Sequence, residues 1–254
     1  MFPARIFDSH FHIIDPAFPL IENNGYLPPA FTTGDYLEAS AKYNITGGAI
    51  VSGSFQGFDQ AYLIRALQLL GNRFVGVTQL PANSSDEEIL ELHKQGVRAV
   101  RFNLKRGGSE GVEQLEFLAK RVFELADWHI ELYVDSKDLE ELSSVLTRLP
   151  LVSIDHLGLS QEGLKNLLTL VEGGVYVKAT GFGRVELDVP SALRAIVDIN
   201  PKALMFGTDL PSTRARRPFS SEDIDLIVDT VGPKLLDQVF YQNAYDLYFR
   251  RRLD

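Results

Sequence analysis

Residues 97–135, VRAVRFNLKRGGSEGVEQLEFLAKRVFELADWHIELYVD, hold two short apolar runs, Val97–Asn103 and His129–Asp135, on either side of an amphipathic segment, Val112–Asp127. The runs alternate with period two and the segment between them repeats its apolar residues with helical spacing, so the stretch reads as strand, helix, strand. A crossover long enough to hold a helix is what parallel neighbours in a sheet require. Alternation also assigns faces. Val100, Phe102, Ile130, Leu132 and Val134 turn toward the helices, which leaves Arg101, Asn103, Glu131 and Tyr133 on the opposite side.

The same unit recurs in both directions. Further strands are expected over Arg5–His10, Thr46–Ser52, Phe74–Leu80, Leu151–His156, Val175–Ala179 and Ala203–Gly207. Helical patterns fall between them at Gly57–Leu70, Ser85–Lys94, Lys137–Leu149, Glu162–Glu172, Val189–Ile199 and Ser221–Thr230. Eight strands alternating with seven helical patterns in 254 residues predict one α/β domain over residues 1–254, a single (β/α)8 TIM barrel. An open doubly wound sheet alternates in the same way, but no GxGxxG or Walker sequence follows an early strand. An extended loop, Ile13 to Thr32, with Pro16, Pro19, Pro28 and Pro29, follows the first strand, and an Arg- and Pro-rich loop, Pro211 to Pro218, follows the last. Both belong to the C-terminal face of a barrel, where substrate loops sit.

Composition narrows the function classes. A hydrophobic share of 45% supports a sizeable core, and the net charge of −9 argues against nucleic acid or an anionic membrane as partner. With no cysteine, disulfides, thiol nucleophiles, thiolate-bound zinc and iron–sulfur clusters are excluded, and the composition suits a reducing cytoplasm. The opening MFPARIFDSHFH has no apolar targeting stretch, and no run is long and apolar enough for a membrane span.

The strongest local signal for chemistry is Asp8-Ser9-His10-Phe11-His12 at the end of the first strand. Residues two apart on a strand share a face, so His10 and His12 can converge on one metal ion or one substrate atom; alone, the pair equally describes core or surface histidines. Later strands end in Arg101, Tyr133, His156, Lys178 and Asp209, so that six of the eight deliver a polar group to one mouth. Each has a structural reading too: ion pairs for Arg101 and Lys178, packing for Tyr133, a cap for His156, a turn for Asp209. Their convergence on one face is what favours chemistry. His93, His129 and Trp128 read as structural, and Arg250-Arg251-Arg252 as a solvated helix end.

Together with DSHFH, the motifs IDHLG at Ile154–Gly158, FGTDLP at Phe206–Pro211 and YQNAYDLY at Tyr241–Tyr248 resemble the amidohydrolase superfamily, in its amidohydrolase-related TIM-barrel branch with a closing C-terminal helix. Within that branch Val100–Asn103 with Lys105-Arg106, and Val177–Gly181 followed by Arg184, look like the substrate-binding stretches of 2-pyrone-4,6-dicarboxylate lactonases. The resemblance implies hydrolysis of a small acidic lactone or related carboxylate. Asp209 would be the general base and then acid, with His156, Tyr133, His10 and His12 polarising the carbonyl. Arg101, Arg184, Arg106 and Lys178 would bind substrate.

Those lactonases work without a divalent metal; many other members hold one, and the matching set here is His10, His12, His156 and Asp209, for Zn or Mn. Where metal-binding members carry a fifth-strand histidine this chain has Tyr133, and where lactonases carry tryptophan and histidine after the last strand it has Leu210-Pro211-Ser212. A metal-dependent amidohydrolase, a non-oxidative decarboxylase and a non-catalytic barrel binding a small acid remain alternatives. The sequence carries no signal for oligomeric state.

Overall fold

Eight parallel strands follow one another in chain order around a single sheet in the computed structural model, which describes residues 3–250. They are β1 (Ile6–Phe11), β2 (Ile45–Val51), β3 (Phe74–Thr78), β4 (Val97–Phe102), β5 (His129–Leu132), β6 (Val152–Ile154), β7 (Tyr176–Ala179) and β8 (Leu204–Phe206). The helices are α1 (Thr33–Ser40), α2 (Ala61–Leu70), α3 (Asp86–Lys94), α4 (Leu115–Ala126), α5 (Leu139–Leu146), α6 (Leu164–Glu172), α7 (Val189–Ile199), α8 (Ser221–Val231) and α9 (Asn243–Tyr248). This is the (β/α)8 barrel that the alternating pattern predicts. No helix among the described residues is long and apolar enough to cross a membrane.

Local chemistry explains the helix starts. Ser85 caps α3 and Glu88 reaches back to its backbone, a reciprocal box repeated by Thr32 and Asp35 at α1. The strand faces are those read from alternation. Val100, Phe102, Ile130 and Leu132 join the layer between sheet and helices. Inside the barrel, Phe7, Ala49, Val51, Val75, Val77, Ala99 and Met205 fill the lower half, closed from beneath by Leu247 and Tyr248 of α9.

Three differences from the sequence reading bear on the site. β6 and β8 are three residues each, shorter than expected, and the chain beyond them enters left-handed backbone at His156 (φ 52°) and Asp209 (φ 60°). α1 falls where no helix is expected, since its sequence TGDYLEAS buries only Tyr36 and Ser40 and has no apolar stripe. The loop after β1 is ordered by a bridge between Ile14 and Phe31 and by a tight turn at Asn24-Gly25 (φ 51° and 71°), flanked by mutual Asn23 and Tyr26 backbone bonds of 3.0 and 3.2 Å. Arg251 and Arg252 of the expected basic helix end lie outside the described residues.

The seam between β8 and β1 is closed by Asp209 N–H donating to His10 O (2.7 Å) and His12 N–H donating to Leu210 O (2.7 Å). Asp8 clasps it from within. Its carboxylate accepts from Thr208 N (2.8 Å), Thr208 Oγ1 (2.7 Å), Tyr36 Oη (3.1 Å) and His10 N (3.2 Å). Gly207 permits the approach, because a Cβ there would sit 2.8 Å from His10 N.

Candidate active site

The strand ends deliver His10, His12, Arg101, Tyr133, His156, Arg184 and Asp209 to one mouth. His12, Arg101, Arg106, Tyr133, His156 and Arg184 line a single pocket there, joined by Arg214 from the loop after β8. At its floor, His10 and His12 lie edge to face with ring centroids 5.1 Å apart, and His10 and His156 at 4.8 Å. The Tyr133 ring meets His156 at 5.0 Å and lies 5.2 Å from the Arg101 guanidinium carbon. Gly181 makes room for this cluster: a Cβ there would lie 2.6 Å from His156 Nδ1 and 2.9 Å from Arg184 Nε.

Asp209 is the centre of the arrangement. It is fully buried, and its Oδ2 accepts from Arg184 Nε at 3.0 Å and from Arg184 Nη2. Its Oδ1 has no hydrogen-bond partner among the described residues and faces His12 Nε2 at 3.7 Å and His10 Nε2 at 3.8 Å. Burial pushes the Asp209 carboxyl up, but the adjacent Arg184 guanidinium outweighs it and holds the group well below the usual carboxylate range. The group is therefore an acceptor at any working pH.

The histidines are set by their second nitrogens. His12 Nδ1 lies 2.7 Å from the carbonyl of Val51, which can only accept, so Nδ1 carries a proton and the ring is turned to aim Nε2 toward Asp209. His10 Nδ1 lies between Asp155 Oδ1 (3.3 Å) and Lys178 Nζ (3.4 Å), while its Nε2 is buried and unpartnered among the described residues. Burial drives His10 down to about 3 and His156 well below its ordinary value, so both rings are neutral near pH 7.

Beneath the pocket runs a buried ionic column. Arg101 donates to Asp155 Oδ2 through Nε (3.1 Å) and Nη2 (2.9 Å), and to the Ser52 carbonyl through Nη1 (2.8 Å). Lys178 pairs with Glu131 at 2.5 Å and with Asp155 at 3.4 Å, and Glu131 continues to His129 (3.1 Å) and the Tyr248 hydroxyl. Lys178, expected to bind substrate, is fully buried below the pocket and tied into this column instead. Arg101 and Arg184 reach the pocket, but each is engaged by a carboxylate of the protein. Sequence reasoning passes over Asp155, although it stands in the IDHLG motif and alternation turns it inward. His93 and His129 are structural: Trp128 Nε1 donates to His93 Nδ1 at 3.1 Å, and His129 sits on Glu131.

The acceptors at the floor also suit a cation. His10, His12 and Asp209 offer one ligand atom each within 4.8 Å of one another, and two of those atoms, His10 Nε2 and Asp209 Oδ1, are buried without a partner among the described residues. Such a nitrogen and oxygen set fits zinc or manganese. His156, the fourth member of the expected set, falls in a second cluster with His10 and Asp155.

A barrel with paired histidines at the end of β1, a histidine after β6 and a clamped aspartate after β8 is the architecture of the amidohydrolases. The chain belongs to that family: the amidohydrolase family model matches residues 7–250. It is 27% identical to a 2-pyrone-4,6-dicarboxylate hydrolase of Comamonas testosteroni, over 97% of this chain and 91% of the relative. It is 26% identical to a 4-sulfomuconolactone hydrolase of Hydrogenophaga intermedia, over 89% of this chain and 82% of the relative. Among solved structures, a probable 2-pyrone-4,6-dicarboxylic acid hydrolase of Acinetobacter baumannii with citric acid bound superposes with a TM-score of 0.83 at 23% identity, covering 96% of this chain and 99% of that one.

Proposed function

We propose that this protein hydrolyses a small lactone bearing acidic groups. The observation that carries the reading is the pair Asp209 Oδ1 and His12 Nε2, 3.7 Å apart, the carboxylate oxygen buried and without a hydrogen-bond partner among the described residues and the histidine lining the pocket. A water bound against Asp209 Oδ1 would donate to it and present its oxygen lone pair to a carbonyl in the pocket. Asp209 takes the water's proton as the carbon–oxygen bond forms, the ring carbon–oxygen bond breaks, and the proton passes to the departing ring oxygen. Tyr133 and His156, on the opposite wall, carry the hydroxyl and ring N–H able to stabilise the charge on the carbonyl oxygen, and His10 completes the floor. His12 is held at Nδ1 by the Val51 carbonyl and keeps Nε2 beside Asp209 Oδ1. Arg184 and Arg101 keep Asp209 and Asp155 ionised, while Arg106 and Arg214, which line the pocket with no carboxylate partner among the described residues, leave the mouth positive enough to draw an acidic ring. The names of the similar hydrolases, both of acid-bearing lactones or pyrones, support this substrate class.

A Zn²⁺ or Mn²⁺ ion held by His10, His12 and Asp209 would supply Lewis acidity to the same pocket. The test is proton release from a panel of carboxylated and sulfonated lactones, with and without chelation, for the wild type and Asp209→Asn. Ring opening with one proton equivalent, slowed about 10²- to 10⁴-fold by the substitution, is expected. Near-normal turnover in Asp209→Asn, or carbon dioxide as the product, would overturn the reading. Loss of activity on chelation, restored by zinc or manganese, would place the ion on the first-strand histidines.

A further inference from the structure

Under the pocket floor, Arg101, His10 and Lys178 meet at one carboxylate. Asp155 is fully buried, and its two oxygens serve different partners. Oδ2 accepts from Arg101 Nε (3.1 Å) and Nη2 (2.9 Å), which keeps the group from turning. Oδ1 has no other hydrogen-bond partner among the described residues and lies 3.3 Å from His10 Nδ1 and 3.4 Å from Lys178 Nζ. Burial pushes the carboxyl up, but Lys178 outweighs it and holds the group well below the usual range, so both oxygens accept.

The chain reaches this arrangement by breaking its own alternation. Ser153 pairs in register with Glu131, so Ser153 and Asp155 face the barrel interior and a continued strand would turn His156 outward. The left-handed backbone at His156 (φ 52°) reverses that, and two successive side chains enter the same space. The His156 ring meets the His10 ring at 4.8 Å, while Asp155 meets its Nδ1.

A neutral histidine carries one ring proton, and its neighbours decide which nitrogen bears it. Lys178 has its closest partner in Glu131 (2.5 Å), which leaves Asp155 Oδ1 in want of a donor. A proton on His10 Nδ1 supplies one; a bare Nδ1 would set a lone pair against a carboxylate oxygen. Nε2 is then the lone pair, 3.8 Å from Asp209 Oδ1. The opposite tautomer would aim an N–H at that oxygen and occupy the base.

Resting on the lactone-hydrolase reading, we infer that Asp155 is a positioning residue, which by accepting from His10 Nδ1 fixes that tautomer and keeps His10 from donating to Asp209, so that Oδ1 stays open to the attacking water. A carboxylate that orients a histidine through its second nitrogen acts in the same way elsewhere.

The test is nitrogen NMR of the histidine rings, five in the chain, which reads which ring nitrogen bears the proton. In the wild type His10 should be protonated at Nδ1. In Asp155→Asn the amide oxygen must face Arg101, which has donors only, so His10 Nδ1 meets the amide N–H and Lys178 and the proton should move to Nε2. An aspartate-to-asparagine change that strands a catalytic histidine in the wrong tautomer lowers kcat by about 10⁴-fold, and a loss of about 10²- to 10⁴-fold is expected on the lactone that the wild type opens. The control, Lys178→Met with Glu131→Gln, removes one cation and one anion but keeps Asp155 on Arg101, and its His10 proton should stay on Nδ1. If Asp155→Asn does not fold, Asp155→Asn with Lys178→Met removes one charge of each sign, as the control does, and should show the same moved proton. A wild-type proton on Nε2, a proton still on Nδ1 without Asp155, or a moved proton with kcat unchanged overturns the inference. The NMR readings need no turnover, so a wild type that opens no lactone refutes the hydrolase reading while the place of the proton is still decided.

Discussion

Asp209, His12 and His10 show how single residues acquire a role from what surrounds them. The carboxylate is held ionised by a buried arginine and His12 is oriented by one backbone carbonyl, while His10 is kept neutral by burial. For His10, the folded value of about 3 lies below the ordinary 6.5, so between these limits the unfolded chain binds a proton that the native chain does not. Its contribution to stability is fully present above about pH 6.5 and is lost progressively as pH falls toward 3. The ring signals of His10 in a proton NMR titration should stay fixed between pH 5 and 8, and the urea midpoint should fall as pH drops from 7 to 5; an inflection for His10 near 6.5 would contradict this. The residues legible in the sequence are those whose position alone carries meaning. His10 and His12 share a strand face, and Asp209 follows a strand. Asp155 and Asn23 are not legible, since an aspartate under an arginine or an asparagine between three loops matters through partners about 50 to 190 positions away.

At the level of elements, all eight strands are visible in the sequence because buried parallel strands read as short apolar runs between helical patterns. Their ends are less so. The residues that leave the sheet, His156 and Asp209, do so with left-handed backbone that no periodicity announces, and these are the places where function sits. α1 is invisible for want of an apolar stripe, whereas the Asn24-Gly25 pair carries a turn signal that the long proline-rich loop obscures. The turn after β7 shows how tightly such an exit is built. Gly181 has φ 63° and lies against His156 and Arg184, so Gly181→Ala adds both backbone strain and a collision at 2.6 Å. The substitution is expected to destabilise the fold by about 1–3 kcal/mol, read by thermal or denaturant unfolding, and to lower kcat by displacing His156. Wild-type stability and turnover in Gly181→Ala would show that the turn has slack.

Across the whole molecule, the barrel axis is divided into an apolar lower half and a polar column of Glu131, Lys178, Asp155 and Arg101. Two cations offset two anions there, out of reach of solvent. Burial alone would raise both carboxyls, but Lys178 leads the groups that lower them. Lys178→Met therefore leaves Glu131 and Asp155 with too little positive charge and is expected to cost about 3–5 kcal/mol in denaturant unfolding. Adding Glu131→Gln to Lys178→Met should recover part of the loss; a cost under about 1 kcal/mol for the single change would refute the column as a coupled unit. The clasp at the seam has a consequence in time. Asp8 and Thr208 are 200 positions apart, and the first strand waits through almost the entire synthesis of the chain for the eighth. A ribosome releasing this protein one βα unit at a time releases an open sheet with an unsatisfied edge, and the nascent chain needs shielding at that edge until the eighth strand has emerged.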